Sequence, residues 1–506
     1  MSSSQLEKKQ FPKIMSMSYL GQKGYSIFKK ELDQSQIDFI KKELTVKPYV
    51  PGAPVANAHT FPVYRESANK IYVPRYFGEN HFGAPSENKL VDGDDVSIEF
   101  TGVLRENQIP VVEKFIKHVT SKEGTAGAGG GGGLLELPCG FGKTSLSLYI
   151  ASKLNKKTLV IVHKEFLMNQ WIERIQQFIP TARIGKIQGQ IIDIEGKDIV
   201  LGMLQSLSMK DYPADMFNSF GLVIIDEVHH ISSEVFSNVL FKLVTKYMMG
   251  LSATMNRKDG TTNVFKMFLG DVIYKNTEKS QHNVEVRGIR YINGDVDFNE
   301  TEYDYRGNPK YSTMISKLCT YNHRTEFILK IVQDLLTENP SQQIMILAHN
   351  KSILKYLYDA IVHRNISTVG YYIGGMKEAA LKESETKTVI IATFSMAAEA
   401  LDIKTLTTLI MATPKTDIEQ AVGRILRAKH SKPIVVDIID THEPFAKQWL
   451  KRKAFYKKQN YKIIECSNKE GEYNVWKTVH EHKEEPVEPI GKCLIKLSKT
   501  TKLNDR

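Results

Sequence analysis

Residues Leu134-Leu135-Glu136-Leu137-Pro138-Cys139-Gly140-Phe141-Gly142-Lys143-Thr144 decide the fold, because an apolar run passes through a glycine-rich turn into a helical run. This order of strand, loop and helix is what a phosphate-binding loop needs. Gly140 and Gly142 would let backbone amides close around phosphate groups. Lys143 would place a cation on the β and γ oxygens, and Thr144 can coordinate Mg²⁺ at the helix N-terminus. The stretch predicts a site for ATP.

One position departs from the usual loop pattern of GxxxxGK followed by Ser or Thr. Leu137 stands where that pattern has its first glycine, and Pro138, Cys139 and Phe141 fill the variable positions. The alternative for the isolated stretch is a glycine-rich turn with an incidental lysine.

A second stretch, Leu222-Val223-Ile224-Ile225-Asp226-Glu227-Val228-His229-His230, predicts a buried strand that ends in paired carboxylates. Asp226 is placed to hold Mg²⁺, and Glu227 to orient or deprotonate an attacking water. An Asp-Glu pair can also cap a following helix. Its position after Lys143 favours phosphoryl transfer to water.

A third stretch, Gln420-Ala421-Val422-Gly423-Arg424-Ile425-Leu426-Arg427, has helical spacing. Gln420, Arg424 and Arg427 would share one helix face at i, i+4 and i+7. The arginines could then neutralise charge developing on a γ-phosphate. Two surface arginines paired with acidic neighbours are the alternative.

Apolar strand-like runs alternate with helical stretches twice along the chain, which predicts two α/β lobes with parallel sheets. We expect lobe 1 at 101–275, a linker at 276–320 and lobe 2 at 321–465. The first lobe's runs are Leu134 to Leu137, Thr158 to Val162, Asp198 to Gly202, Leu222 to Ile225 and Met248 to Ser252. The second lobe's runs are Ile344 to Ala348, Thr388 to Ala392, Thr408 to Ala412 and Ile434 to Ile438.

Three further segments lie outside this rhythm. Residues 1–100 predict a small α+β accessory domain, in which Lys70, Tyr72 and neighbouring aromatics either pack or touch nucleic acid. Glycines between 124 and 133 predict a flexible surface loop. Residues 466–506 predict a charged tail that is partly disordered.

Composition limits the class of protein. The 506 residues carry 68 Lys and Arg against 57 Asp and Glu, a net charge of +11 that favours a polyanionic partner, although a solvated basic surface is the alternative. No long uncharged apolar run predicts a membrane segment, and the first residues lack a secretory signal. Four scattered cysteines, without CxxC or histidine spacing, predict free thiols and no zinc site: Cys139, Cys319, Cys466 and Cys493.

In this order the stretches resemble superfamily 2 helicases over about residues 100–440. Further blocks that carry the resemblance are Leu104-Arg105-Glu106-Asn107-Gln108, Val162 to Leu167 with Gln170-Trp171, Leu204 to Leu207, Leu251 to Gly260, and Thr393 with Glu399 to Asp402. Ala400 replaces a frequent glycine of the last block. The resemblance implies two RecA-like P-loop lobes and a DEAH-like box.

The resemblance also implies roles for particular residues. Arg105 and Gln108 would contact the nucleotide, Gln108 by reading adenine, and Ser252 and Thr254 would couple hydrolysis to grip on nucleic acid. The implied nucleic-acid contacts are His163, Lys164, Gln205, Ser206, Arg257 and Thr393.

The stretch from Leu251 to Gly260 looks like that of XPB-like DNA helicases, which favours DNA and implies 3′ to 5′ movement. Segments near the N-terminus, such as Ile71-Tyr72-Val73-Pro74, resemble helicases of large cytoplasmic DNA viruses, African swine fever virus among them, that are related to the poxvirus transcript-release helicase. This implies a soluble protein of the infected host-cell cytoplasm or virion, working with viral transcription machinery.

Three alternatives stay open on the residues alone. The chain could be a helicase, an ATP-driven remodeller or clamp that does not unwind, or a P-loop phosphotransferase. A phosphotransferase would have no use for Arg424 and Arg427 in a second lobe. RNA or a hybrid remains the alternative to DNA, since a phosphate backbone is common to all.

Overall fold

A computed structural model describes residues 18–49, 60–121, 130–138, 140–213, 215–231, 233–255, 259–276, 283–399, 403–426, 430, 432–468, 473 and 475–482. The side chains of 398 and 399 are not described. Cys139, Arg257 and Arg427 lie outside these residues, as do 400–402 and Cys493. Within them, no helix is long and apolar enough to cross a membrane.

The N-terminal part forms a five-stranded sheet, ordered β5-β6-β2-β1-β7, with two helices and a separate pair of strands β3 and β4. Its elements are β1 Ser18–Gly21, β2 Gly24–Phe28, α1 Gln34–Glu43, β3 Thr45–Val46, β4 Phe61–Pro62, β5 Arg65–Glu66, β6 Lys70–Val73, α2 Arg75–Phe82 and β7 Glu87–Asn88. Its buried side chains join those of the next lobe in one hydrophobic cluster.

Lobe 1 is an eight-stranded sheet ordered β11-β10-β12-β9-β13-β14-β8-β15, parallel apart from β11. Its elements are α3 Ile109–Thr120, β8 Gly131–Glu136, α4 Lys143–Leu154, β9 Thr158–Val162, α5 Glu165–Phe178, β10 Ile184–Gln188, β11 Ile191–Asp193, β12 Ile199–Met203, α6 Leu204–Met209, β13 Leu222–Ile225, α7 Ser233–Leu240, β14 Tyr247–Ser252, α8 Thr262–Leu269 and β15 Val272–Lys275.

Lobe 2 is a second eight-stranded sheet, ordered β18-β19-β17-β20-β21-β16-β22-β23 and parallel apart from β23. Its elements are β16 Glu285–Tyr291, α9 Val296–Asn299, α10 Tyr311–Thr320, α11 Asn322–Glu338, β17 Gln343–Ala348, α12 Lys351–His363, β18 Val369–Tyr372, α13 Glu378–Glu385, β19 Val389–Thr393, α14 Phe394–Glu399, β20 Leu406–Met411, α15 Glu419–Val422, β21 Ile434–Asp440, α16 Glu443–Lys458, β22 Lys462–Ser467 and β23 Lys477–His480.

The predicted α/β class with two parallel-sheet lobes is confirmed. Each sheet has buried clusters on both faces, as expected for parallel strands covered by helices. The predicted linker is wrong in extent, because β16 lies inside the lobe 2 sheet between β21 and β22. The tail likewise contributes the edge strand β23.

The predicted glycine loop is wrong for its last residues, because Gly131–Gly133 are buried in β8. A Cβ built on Gly132 would lie 2.7 Å from the Leu269 carbonyl oxygen and 2.8 Å from that of Met248. The glycines are therefore a consequence of close backbone packing beside β14. Residues 122–129 lie outside the described part.

Tyr76 ties the N-terminal part to this strand. The Gly132 N–H donates to the Tyr76 hydroxyl at 2.5 Å, and that hydroxyl lies 3.3 Å from the Gly132 carbonyl oxygen. Arg75 donates to the Gly130 carbonyl at 3.1 Å. Tyr76 and Arg75 therefore pack against protein. For Tyr76 this is the packing alternative that the sequence analysis gave for the aromatics of residues 1–100.

Cys319 and Cys466 are buried free thiols, which confirms the prediction for those two cysteines.

Candidate nucleotide site between the lobes

The phosphate loop joins β8 to α4 at the carboxyl edge of the lobe 1 sheet. Gly140 and Gly142 both have left-handed backbone, with φ of 79° and 87°. A Cβ on Gly142 would lie 2.4 Å from Nε2 of Gln108, so glycine is required there for two reasons. The helix α4 then begins at Lys143, which directs its first amides towards the loop.

Gln108 and Arg105 hold this loop from the side. Gln108 is buried, and its Nε2 donates to the Phe141 carbonyl at 2.8 Å while its Oε1 accepts from the Arg105 N–H at 2.9 Å. The Arg105 guanidinium donates to the Gly140 carbonyl at 2.9 Å. Both side chains therefore position the loop backbone, and contact with adenine stays a prediction.

Asp226 and Glu227 follow β13, and Lys143 reaches them across the edge. The Lys143 ammonium lies 2.9 Å from Oε1 of Glu227. Glu227 has a left-handed backbone, with φ of 46°, that turns its carboxylate towards the loop. The other oxygen, Oε2, is buried and accepts no hydrogen bond from the described residues, although Nδ1 of His229 lies 3.3 Å away.

The two carboxylates have opposite electrostatic environments. Burial raises the pKa of Asp226, and the neighbouring Glu227 charge raises it further. Burial would also raise the pKa of Glu227, but Lys143 and His229 outweigh it and lower that pKa. Glu227 is therefore the carboxylate held ionised, as a group that accepts a proton from water must be.

Trp171 on α5 supports Asp226. Its indole N–H donates to Oδ2 of Asp226 at 2.8 Å, while the Glu227 N–H donates to Oδ1 at 2.9 Å. The sequence placed Trp171 in one of the blocks that resemble superfamily 2 helicases, and the structure puts it, buried, behind the carboxylates. No local pattern links it to a residue so far along the chain.

His229 connects the two lobes, a role that the sequence did not predict. Its Nδ1 lies 2.7 Å from the Ser252 hydroxyl, and its Nε2 lies 2.9 Å from Nε2 of Gln420 in lobe 2. The Ser252 hydroxyl also donates to the Thr254 carbonyl at 2.5 Å. His229 therefore lies between Gln420 of lobe 2 and Ser252, and Ser252 in turn contacts Thr254. Both Ser252 and Thr254 are predicted to couple hydrolysis to the grip on nucleic acid.

The third predicted stretch does not form one regular helix. Residues Glu419–Val422 are α-helical and Gly423–Leu426 form a 3-10 helix, so the i, i+4, i+7 spacing does not describe one face. Arg424 is buried, and its Nε donates to the Ala397 carbonyl of lobe 2 at 2.7 Å. Leu426 nevertheless approaches the phosphate loop, its carbonyl oxygen 3.7 Å from a Cβ built on Gly140.

The predicted nucleic-acid contacts follow strand ends but differ in exposure. His163 is buried beside His230, with ring centroids 5.6 Å apart, and burial lowers its pKa to about 4. A neutral buried ring supplies no cation for phosphate, and the contact of His163 with nucleic acid stays a prediction. Its carbonyl accepts from the exposed Gln205 at 3.1 Å.

The other predicted contacts lie nearer the surface. The Ser206 hydroxyl accepts from the Gly189 N–H at 2.9 Å, the half-buried Lys164 precedes α5, and the Thr393 hydroxyl lies 3.2 Å from that of Ser395. Their contact with nucleic acid stays a prediction.

The fold and the site define a two-lobed ATPase of the P-loop class. The family model "Type III restriction enzyme, res subunit" matches residues 101–257. The chain is 36% identical over 467 residues to "Putative ATP-dependent RNA helicase L396" of Acanthamoeba polyphaga mimivirus, covering 87% of this chain and 85% of that protein. It is 30% identical to "Putative ATP-dependent RNA helicase QP509L" of African swine fever virus (isolate Pig/Kenya/KEN-50/1950), covering 66% of this chain and 70% of that protein.

A solved structure shares the fold. It is "The fragment structure of a putative HsdR subunit of a type I restriction enzyme from Vibrio vulnificus YJ016", with a TM-score of 0.51, 16% identity, and coverage of 74% of this chain and 71% of that one.

The chain belongs to the ATP-dependent superfamily 2 helicases of large DNA viruses, and it is an ATP-hydrolysing enzyme of that family. The resemblance to the African swine fever virus protein holds at the level of the family, since 30% identity separates two different members.

Proposed function

We propose that this protein is a translocase that couples Mg²⁺-dependent ATP hydrolysis to 3′ to 5′ movement along DNA. The observation that carries this proposal is the meeting of four side chains at one cleft. Lys143 pairs with Glu227 at 2.9 Å, His229 follows on the same turn, and Gln420 of lobe 2 lies 2.9 Å from His229. Hydrolysis and lobe position would therefore share one set of contacts.

Lys143 and Glu227 would exchange partners during the reaction. A triphosphate competes with Glu227 for the Lys143 ammonium, since phosphate oxygens carry the larger charge. Glu227, whose Oε2 accepts no hydrogen bond from the described residues, would then orient a water and accept its proton. Because the Lys143 ammonium lowers the pKa of Glu227, its transfer to phosphate would raise that pKa and make the carboxylate a stronger proton acceptor.

The residues present fit a Mg²⁺ ion. Each oxygen of the buried Asp226 carboxylate accepts one hydrogen bond, from Glu227 or Trp171, which leaves further lone pairs on both. With the Thr144 hydroxyl, Asp226 offers the oxygen donors that Mg²⁺ prefers. When bound, the ion would supply charge neutralisation at the phosphates. It would also lower the raised pKa of Asp226.

Lobe 2 would sense the bound nucleotide and complete its site. Gln420 would sense the γ-phosphate through His229, and Arg424 with Arg427 would contribute positive charge on closure. Because Ser252 contacts the same histidine, a change at the cleft would pass directly to the block predicted to control grip. Arg424 must release the Ala397 carbonyl, or use its other nitrogens, to reach a phosphate.

DNA is favoured as the track by the XPB-like block and by the restriction-enzyme family model that matches lobe 1. RNA is the second candidate, since both viral relatives are named as RNA helicases. A role in releasing viral transcripts, in the cytoplasm of an infected cell or in the virion, follows from the poxvirus-like resemblance. The partners would be nucleic acid and the viral transcription machinery.

The test is the ATPase rate of the full chain with single-stranded DNA, duplex DNA, RNA and hybrid at matched salt. We expect DNA to stimulate hydrolysis most and Lys143→Ala to abolish it. Stimulation by RNA alone would overturn the DNA assignment. An unchanged rate in Lys143→Ala would overturn the whole scheme.

A clamp or remodeller that does not unwind uses the same site. A strand-displacement assay separates it from a helicase, because only the helicase releases the second strand.

A further inference from the structure

The segment between β16 and α10 exposes apolar side chains at the carboxyl edge of the lobe 2 sheet. Because β16, β21, β20, β17 and β19 are parallel, Tyr291 at the end of β16 and Thr393 at the end of β19 lie at the same edge. Four apolar side chains after Tyr291 are exposed: Ile292, Val296, Tyr303 and Tyr305. Among these four, Tyr305 is the most exposed.

Residues 303–309, here called the tyrosine turn, present Tyr305 at their apex. Tyr303 and Pro309 form an antiparallel bridge, and the Asp304 N–H donates to the Asn308 carbonyl at 2.8 Å. The Asp304 carboxylate accepts from the N–H groups of residues 306 and 308, both at 2.8 Å. Tyr305 is 88% exposed. The backbone of the turn is thus held while its aromatic tip stays in solvent.

The base of the turn is anchored in the lobe. Phe298 is buried and stacks on Tyr321 with centroids 4.1 Å apart. The Lys317 ammonium donates to the carbonyls of Asp297 at 2.7 Å and Glu300 at 3.2 Å. Force applied at the tip would therefore be transmitted to lobe 2.

Packed side chains connect this base to the predicted nucleic-acid contact. The Tyr311 hydroxyl donates to the Pro414 carbonyl at 3.1 Å, and its ring lies 6.4 Å from that of His349. His349 in turn lies 4.9 Å from Phe394, the residue after Thr393. A series of packed rings therefore runs from Tyr311, two residues after the tyrosine turn, to the residue that follows Thr393.

Charge indicates which part of a nucleic acid the turn would meet. Its flanks carry more carboxylates than cations, with Glu302 at 3.8 Å from Lys317, and would repel a phosphate backbone. At the tip the Arg306 guanidinium lies 5.1 Å from the Tyr305 ring. An aromatic ring beside a guanidinium stacks on bases, which carry no net charge.

Resting on the proposed function, we propose that the tyrosine turn is a strand-separating wedge. Tyr305 stacks on the last base pair of a duplex while the two lobes draw one strand along the cleft. The acidic flanks keep the displaced strand from rebinding beside it.

The test compares three activities of the full chain and Tyr305→Ala: ATPase stimulated by single-stranded DNA, translocation along it, and duplex unwinding. The substituted side chain is exposed, so folding is preserved. We expect unwinding to fall about tenfold or more, because a base stack is lost. ATPase and translocation should stay within about twofold.

Two further variants sharpen the result. Tyr305→Trp should retain unwinding, since it keeps the aromatic face. Val296→Ser, 80% exposed on the same segment, should leave all three activities unchanged.

Three outcomes would overturn the wedge. Normal unwinding by Tyr305→Ala would show that the turn is not a wedge and would favour a protein as the partner of this surface. A proportional loss of all three activities would make Tyr305 a general contact for the strand. A wild type that translocates without unwinding removes the wedge but leaves the translocase, whereas a wild type with no DNA-stimulated ATPase would reject the proposed function itself.

Discussion

Trp171 supports Asp226, the proposed Mg²⁺ ligand, through one hydrogen bond of 2.8 Å. Trp171→Phe keeps the buried ring but removes the N–H donor. We expect the Mg²⁺ concentration that gives half-maximal ATPase to rise about tenfold or more, because partners behind a metal ligand orient it. Titration of ATPase rate against Mg²⁺ measures this.

Trp449→Phe is the matched control for Trp171, since it alters a buried tryptophan of lobe 2 whose Nε1 has no hydrogen-bond partner among the described residues. An equal Mg²⁺ dependence in both variants would contradict a positioning role for Trp171.

His163 makes stability depend on pH. Its folded pKa is about 4 against an ordinary 6.5, because burial opposes the charged ring. The unfolded chain therefore takes up the proton first as pH falls. The stabilising contribution of the neutral ring is full above pH 6.5 and is lost between pH 6.5 and 4.

We expect His163→Gln to unfold in urea with a shallower loss of stability across that pH range than the wild type. His363→Gln alters an exposed histidine and should reproduce the wild-type slope. Identical slopes in all three proteins would show that His163 does not titrate on unfolding.

At the scale of elements, the packing of β8 requires glycine at position 132. Gly132→Ala would place its Cβ within 2.8 Å of two backbone carbonyls, which cannot move without displacing β14 or α8. We expect a loss of about 1–3 kcal/mol of stability, because overpacking forces backbone shifts. The Tm of the full chain measures the effect.

Gly294→Ala serves as the control, since a Cβ built there meets nothing within 4 Å. A Gly132→Ala protein with the Tm of Gly294→Ala would contradict the packing argument.

At the scale of the whole molecule, Gln420 links the lobes at the nucleotide site. Gln420→Ala removes the contact with His229, whereas each lobe keeps its own core. We expect nucleic-acid stimulation of ATPase to fall about tenfold, because the coupling between sites is lost while stability is not. The ratio of stimulated to basal rate measures the change.

Asn169→Ala is the matched variant for Gln420, because Asn169 also crosses between lobes, donating to Glu378 at 3.1 Å through a solvent-exposed hydrogen bond that does not involve His229. It should retain stimulation. If both variants lose it equally, lobe contact in general and not the His229 relay controls the enzyme.

The sequence by itself determined the two lobes, the strands that carry the site and the main chemical groups. Apolar runs with glycine turns are local signals, so β8 with its loop and β13 with Asp226 and Glu227 could be recognised directly. Lys143 and Glu227 were expected in one site, and the structure places them 2.9 Å apart.

Only the tertiary structure decided which side chains serve the site from outside those stretches. Trp171 lies 55 residues before Asp226 and Gln420 lies 191 residues after His229, so their contacts depend on how helices and lobes pack. The same dependence buried His163, put Gly131–Gly133 into a strand and drew β16 into lobe 2. Local patterns record backbone preference and periodicity, whereas burial and long-range contact arise from the packing of the whole chain.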